Sequence, residues 1–281
     1  MYSELNLDLQ AFAKRVYDSI LYQSTFYKFL NTAYIGELRQ TGAPVIEIAK
    51  TNALSVNVRE TKEIQSQLTP SLVTYGRTMV DLTELNMDYS IRVPLMITGS
   101  DITNAVQDAA DLQDAAIAEQ IDTYGYGKLA AASMDEFEWD PSTKEEYIDL
   151  INELGATLYN KKITGDYRIG LGAIEYAKFV SALTSVLKFE TLAGKEGVDM
   201  GEVAVAYGVS AFKINDNVLD GVKGYFFNPI AVVGDTFFSA FVQHNSPQGY
   251  PGYYVLEGTQ SFGAEVVRPE AIIRLVEEVS A

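Results

Sequence analysis

Four stretches of the chain carry residue types that could do chemistry. Gly170-Leu171-Gly172-Ala173-Ile174-Glu175 follows a strand-like run and opens a helical one, where a dinucleotide-binding turn would set backbone N–H groups against a pyrophosphate. Glu175 stands where that turn needs its third glycine, and no βαβ repeat surrounds it, so a plain strand-to-helix turn is expected. Asn215-Asp216-Asn217-Val218-Leu219-Asp220-Gly221 has the oxygen-rich composition of a calcium loop, but its oxygens do not alternate through to the glycine and no Glu closes it. A turn between strands is the expectation there. His244, in Gln243-His244-Asn245-Ser246-Pro247, could act as a general base, yet no spacing marks a nucleophile or an orienting carboxylate for it. It is expected at the surface or an interface. Asp108, Asp111, Asp114 and Glu119 lie along one side of a helical pattern, where carboxylates ordinarily face water rather than a cation. These readings leave no catalytic, cofactor-binding or metal-ligating residue, and a protein that is not an enzyme.

Composition narrows the field in the same direction. The 281 residues include no Cys and one His, which removes disulfide frameworks, thiolate nucleophiles, iron–sulfur clusters and Cys/His or multi-His metal sites within one chain. Hydrophobic residues at 47% and charged residues at 21% describe an ordinary globular chain rather than a disordered or collagenous one. With 21 Lys+Arg against 38 Asp+Glu the formal charge is −17, which repels phosphate backbones and disfavours nucleic-acid recognition. Met1-Tyr2-Ser3-Glu4-Leu5-Asn6 lacks the basic and apolar regions of a signal peptide, and no run is apolar enough for a membrane helix, so a cytosolic product is expected. The 18 Tyr and 13 Phe suit β-structure and subunit interfaces, with a sugar-binding platform the weaker use.

The elements read as follows. Leu9, Phe12, Ala13, Val16, Tyr17, Ile20 and Leu21 form one helical stripe, an amphipathic arm, followed by a short helical piece around Ser24 to Asn31. After Tyr34-Ile35-Gly36-Glu37 and Gly42-Ala43-Pro44, helix gives way to sheet at Val45-Ile46-Glu47-Ile48. From Asn52 to about Thr78, alternating residues around the charged Arg59 to Ile64 centre predict a long hairpin with little core of its own, which needs a neighbour to lie upon. Tyr89, Ile91, Val93 and Leu95 alternate as a strand. Next comes a long helix capped by Ser100 or Asp101, with Ile102, Ala105, Val106, Ala109, Leu112, Ala116, Ile117, Ile121 and Tyr124 as its apolar face; Gly125 and Gly127 fray or end it, or Lys128-Leu129-Ala130-Ala131-Ala132 continue its pattern at some cost. Thr143-Lys144-Glu145-Glu146 predicts a capping box for a further helix. Strands near 166–170, 203–207, 210–214 and 223–227, a helix over 174–187, a loop over 188–200 and an extended tail complete a mixed α+β pattern without internal repeats.

That order of elements resembles the major capsid proteins of tailed bacteriophages, the Hong Kong 97-like capsid fold. Tyr34 to Leu38 followed by Gly42 to Ile48 is similar to the family's passage from arm to first strand. Leu82-Thr83-Glu84-Leu85 through Ile97 into Asp101-Ile102 is similar to the strand before its spine helix, and Phe262-Gly263-Ala264-Glu265-Val266-Val267-Arg268-Pro269-Glu270-Ala271 to its closing strand. The resemblance implies an N-terminal arm (1–48), an extended loop (49–80), a peripheral domain with the spine helix (81–142), an axial domain (143–258) and a return strand to the peripheral domain (259–281).

It also implies a mechanical function: pentamers and hexamers closing into an icosahedral virion capsid around double-stranded DNA, assembled in the host cytoplasm. Its partners would be sister copies, a portal and a separate scaffolding protein, with a decoration protein as an optional addition, and neither cofactor, membrane nor sequence-specific nucleic acid among them. Lys62 lies near the expected hairpin tip, but no pattern identifies an acceptor, so no crosslink is predicted. An encapsulin-type nanocompartment of the same fold is the nearest alternative. A small acidic nucleotide-binding enzyme using the Gly170 turn, and a tail or fibre protein, stand further off.

Overall fold

The computed structural model of the chain describes residues 9–31, 45–51, 75–94, 100–183, 202–206, 209–238, 241–245 and 248–277. The expected turns at 34–37 and 42–44, the hairpin between 52 and 74 with Lys62, and the 188–200 loop lie outside these residues.

Helix α1 (Leu9–Gln23) forms where i, i+4 spacing puts Phe12, Val16 and Ile20 on one buried stripe. A 3₁₀ turn over Phe26–Phe29 follows, with all four residues buried. Strands β1 (Val45–Thr51) and β2 (Tyr75–Asp81) pair antiparallel from Val45↔Asp81 to Thr51↔Tyr75, so the root of the expected hairpin is present. Strand β3 (Leu85–Pro94) buries Met87, Tyr89, Ile91 and Val93 and exposes the residues between them, the period-2 signature of a sheet covered on one face.

Helix α2 (Ser100–Ala131) takes the longer of the two extents its sequence allows: 32 residues, or about 48 Å at 1.5 Å per residue. It passes through Gly125 and Gly127 because Tyr126 and Leu129 are anchored in the core beyond them. The apolar face also differs from the expected one. Val106, Ala110, Ile117, Ile121, Tyr126 and Leu129 are buried, whereas Leu112 is 75% exposed and Ala116 is exposed. Two residues at about 100° each carry Leu112 to the far side of Ala110. The i, i+4 walk from Val106 instead lands on Asp114 and Asp122, both buried, so Asp114 does not belong to the solvated acidic face.

Two larger sheets organise the rest. In the four-stranded sheet, β11 (Tyr253–Val266) pairs with β3 along one edge; on its other edge lie β10 (Val242–Asn245) and β9 (Val232–Phe238) in succession. The six-stranded sheet runs β4 (Asp135–Glu138), β12 (Ile272–Val276), β8 (Gly224–Phe227), β5 (Tyr167–Gly172), β7 (Val209–Ile214), β6 (Glu202–Ala206). Helices α3 (Lys144–Asn160) and α4 (Ala173–Leu183) accompany it, α3 opening on the expected capping box between Thr143 and Glu146. β5 and β7 are parallel, which requires the crossover that begins with α4.

Sheet membership cuts across the chain segments expected from the resemblance. β4, within 81–142, and β12, within 259–281, pair with each other in the six-stranded sheet, while β9 and β10, within 143–258, pair with β11. β11 itself spans the boundary between 258 and 259. Strand partners are chosen by long-range complementarity, which contiguous segments do not record.

One hydrophobic core joins both sheets, α1 and α2. Its centre is aromatic: Phe29 stacks on Phe227 at 3.9 Å and meets Tyr126, Phe212 and Tyr225 edge-on. The hairpin root stands on a separate cluster of Ile48, Val80, Leu82, Val233 and Val267.

Candidate assembly surface

The residues singled out for chemistry are absorbed by the fold. A Cβ on Gly170 would come within 2.6 Å of Ile214 and 2.8 Å of Phe212, and one on Gly172 would strike Asp216, so both glycines serve close packing of β5. Glu175 is mostly buried and paired with Lys178 at 2.8 Å. The Asn215 to Gly221 loop folds as a 3₁₀ turn: the Asn215 side chain accepts from the Asn217 N–H at 3.1 Å, and Gly221 adopts φ +79°.

His244 lies on strand β10 rather than in a turn, exposed on the outer face of the four-stranded sheet. It lines a depression of about 540 Å³ with Asp88, Ser90, Val242, Glu257 and Thr259. Ser90 is on β3 and His244 on β10, with β11 between them, a separation of about 10 Å that excludes a nucleophile–base hydrogen bond. A second depression, of about 550 Å³ between β4 and α3, is acidic, with Glu138, Asp149 and Glu153 beside Glu136, Asp140 and Glu146. Three of these carboxylates are engaged: Glu136 with Arg274 at 3.3 Å, Asp140 with Lys223 at 3.8 Å, and Glu146 in the helix cap. Among the described residues no cluster of three or more His, Asp or Glu could hold a metal ion, and no helix is long and apolar enough to cross a membrane.

What the described residues offer instead is a hairpin root and exposed apolar residues set on a packed core. The hairpin root crosses β11 at Gly263, where a Cβ would collide with the Asp81 carbonyl and Leu82. Its five-residue cluster anchors the base of the ribbon apart from the main core. Met79 on β2 is 70% exposed, and the outer side of α2 presents Leu112, Ala115 and Ala116 among Asp108, Asp111 and Glu119. The other side of α2 is fixed by three attachments. Lys128 bridges Glu84 at 2.7 Å and Glu265 at 3.3 Å, and Tyr124 donates to Glu84, tying the helix to the turn before β3 and to β11. The ion pair and that hydrogen bond hold the Glu84 carboxyl below its usual pKa.

Asp122 makes the second attachment. It accepts from Ser24 Oγ at 2.5 Å, the Thr25 N–H at 3.1 Å, Thr25 Oγ1 at 2.8 Å and the Phe26 N–H at 2.9 Å, so a carboxylate on α2 caps the 3₁₀ turn that follows α1. Burial pushes its pKa up against the pull of these donors. The third attachment is the turn's aromatic pair: Phe26 lies against Gly125 of α2 and Phe29 reaches the six-stranded sheet. Residues 24–31 therefore lock arm, helix and both sheets together, with Asn31 N–H donating to the Val232 carbonyl at 2.8 Å and Arg168 donating to the Lys28 carbonyl at 2.8 Å. Sequence reasoning placed a short helical piece around Ser24 to Asn31 but named neither its buried aromatics nor Asp122, whose signal was its place on the i, i+4 line through Val106, Ala110 and Ala118.

No family model matches the sequence, and no curated protein matches it. Solved structures do. A chain of Mycobacterium phage Che8 is 17% identical, with a TM-score of 0.60 over 92% of this chain and 93% of that one. A chain from the capsid of cyanophage P-SCSP1u is 13% identical, with a TM-score of 0.60 over 85% and 84%. A chain from the mature capsid of bacteriophage PhiM1 is 9% identical, with a TM-score of 0.53 over 84% and 83%. Identities this low speak to architecture, and each match spans most of both chains. The chain has the fold of the tailed-phage major capsid proteins.

Proposed function

We propose that this protein is the major capsid protein of a tailed bacteriophage, a structural and non-enzymatic subunit of the Hong Kong 97-like type. Copies assemble as pentamers and hexamers into an icosahedral shell around double-stranded DNA, in the host cytoplasm, with a portal and a separate scaffolding protein. The observation that carries this reading is the overlap with most of the length of phage capsid chains in both directions, joined to a hairpin root, β1 with β2, that stands on a cluster of its own apart from the main core. Ordering an extended loop beyond that root would cost about 1–2 kcal/mol of backbone entropy per residue, which contacts with a sister copy can offset. The net charge of −17 fits a container wall that does not grip its DNA. Residues 1–48 act as the arm and 49–80 as the extended loop. The four-stranded sheet with α2 forms the peripheral part, and the six-stranded sheet with α3 and α4 the axial part.

Electron microscopy of the purified protein, expressed with its scaffolding protein, tests the reading: closed icosahedral particles are expected. Deleting Asn57 to Leu68 should leave a folded chain that forms no closed particles. Normal shells from that variant would overturn the role of the extended loop. A monodisperse monomer at high concentration would overturn the shell altogether, and particles filled with a protein cargo would overturn the phage assignment.

A further inference from the structure

The buried stripe of α2 carries two carboxylates, and the fold treats them oppositely. Asp122 is saturated with donors, as described above. Asp114, two turns earlier, is fully buried, and neither of its oxygens has a hydrogen-bond partner. It lies where α1, α2 and β3 meet. From α1 the Arg15 guanidinium and Ser19 hydroxyl face it, from β3 the Tyr89 hydroxyl, and from its own helix the Asp111 carboxylate. None of these neutralises it. Arg15 is ion-paired with the exposed Asp111 at the rim of the interface, and the Ser19 hydroxyl, which accepts from Gln23 at 2.9 Å, forms no hydrogen bond of normal geometry with either Asp114 oxygen. The Tyr89 hydroxyl is buried and faces Asp114 without a hydrogen bond of normal geometry, so it only partly offsets the charge, its ring held edge-on by Phe12 and Phe241. A carboxylate in this position is a buried, unpaired charge, which a protein relieves by keeping the proton or by opening the interface.

We propose that Asp114 makes the docking of α1 onto α2 proton-controlled: the neutral acid seats the helix, and the carboxylate releases it. Opening would leave the junction at residues 24–26 in place, because Asp122 holds Ser24, Thr25 and Phe26 independently. Burial pushes the docked Asp114 pKa up to about 6, with Ser19, Arg15 and Tyr89 offsetting part of the rise. Exposed by undocking, the group returns to the ordinary value of about 3.9. The docked state therefore binds the proton more tightly. Docking is strongest below the ordinary value and weakens as pH rises, until it levels off above the docked one. A gap of about two units raises the undocked-to-docked ratio by about tenfold between pH 5 and pH 8.

Hydrogen exchange at the amides of residues 11–23, measured on the full unassembled chain and corrected for the intrinsic rate, reads this ratio directly. The wild type should lose about tenfold in protection from pH 5 to pH 8. Asp114→Asn should hold the acid-form protection at both pH values, and Asp111→Asn should keep the wild-type step. Tyr89→Phe, which preserves the ring contacts, should move the step to higher pH because it removes a hydroxyl that favours the carboxylate. Equal wild-type protection at pH 5 and pH 8 would overturn the proposal. So would a step that persists in Asp114→Asn, or, should that variant not fold, one that stays at the same pH in Tyr89→Phe.

Discussion

The ring of Phe26 occupies the space where a Cβ on Gly125 would project. A glycine in the middle of a 32-residue helix is ordinarily a weakness, and here it is the socket into which the chain after α1 inserts. Two positions later, Gly127 has nothing within 4 Å of the same hypothetical atom.

The pair gives opposite expectations for one chemical change. Gly127→Ala should stabilise the folded chain by about 0.5–1 kcal/mol, the usual helix-interior gain. Gly125→Ala should destabilise it by about 1–3 kcal/mol, because Phe26 must be displaced from a packed site. Urea denaturation midpoints of the two variants should move in opposite directions from wild type.

Asp122→Ala removes the acceptor for four donors and leaves Ser24 Oγ and the Phe26 N–H buried without partners. At about 1–3 kcal/mol for each buried group left unpaired, the loss should be at least about 2 kcal/mol. Tm by calorimetry should fall by at least about 4–8 °C at about 2–4 °C per kcal/mol for a chain of this size. A drop no larger than that of an exposed Asp→Ala control would sink the capping role.

Phe29→Ala deletes a fully buried ring that stacks on Phe227 and meets three other aromatics. The expected cost is about 3–5 kcal/mol. Because Phe29 joins the segment after α1 to the six-stranded sheet, hydrogen exchange should rise both at residues 26–31 and in β8.

The Lys128 bridge should matter little and in a specific way. Glu84 is held below its usual pKa, so its contribution is present above the unfolded value and is lost as pH falls through the depressed one. Lys128→Met should cost less than about 1 kcal/mol, since both partners are partly solvated. The difference from wild type should shrink in high salt and at acid pH, where Glu84 is neutral. A salt-independent loss would indicate packing of the Lys128 stem instead.

The sequence by itself determined the elements whose signal is local. Periodicity placed α1, β3 and the start of α2; Thr143 and Glu146 announced the cap of α3; missing Cys and near-missing His removed most chemistry. The order of those elements carried the resemblance to phage capsid proteins. Only the tertiary structure decided that α2 continues through two glycines, that β4 and β12 are neighbours while β9 and β10 belong with β11, and that Leu112 faces water while Asp114 and Asp122 do not. Each of those outcomes depends on a partner distant in sequence: Phe26 for Gly125, Ser24 for Asp122, α1 for Asp114. Helix propensity and hydrophobic period describe a residue's neighbours along the chain. Burial of a carboxylate or a glycine is set by what the rest of the fold brings against it.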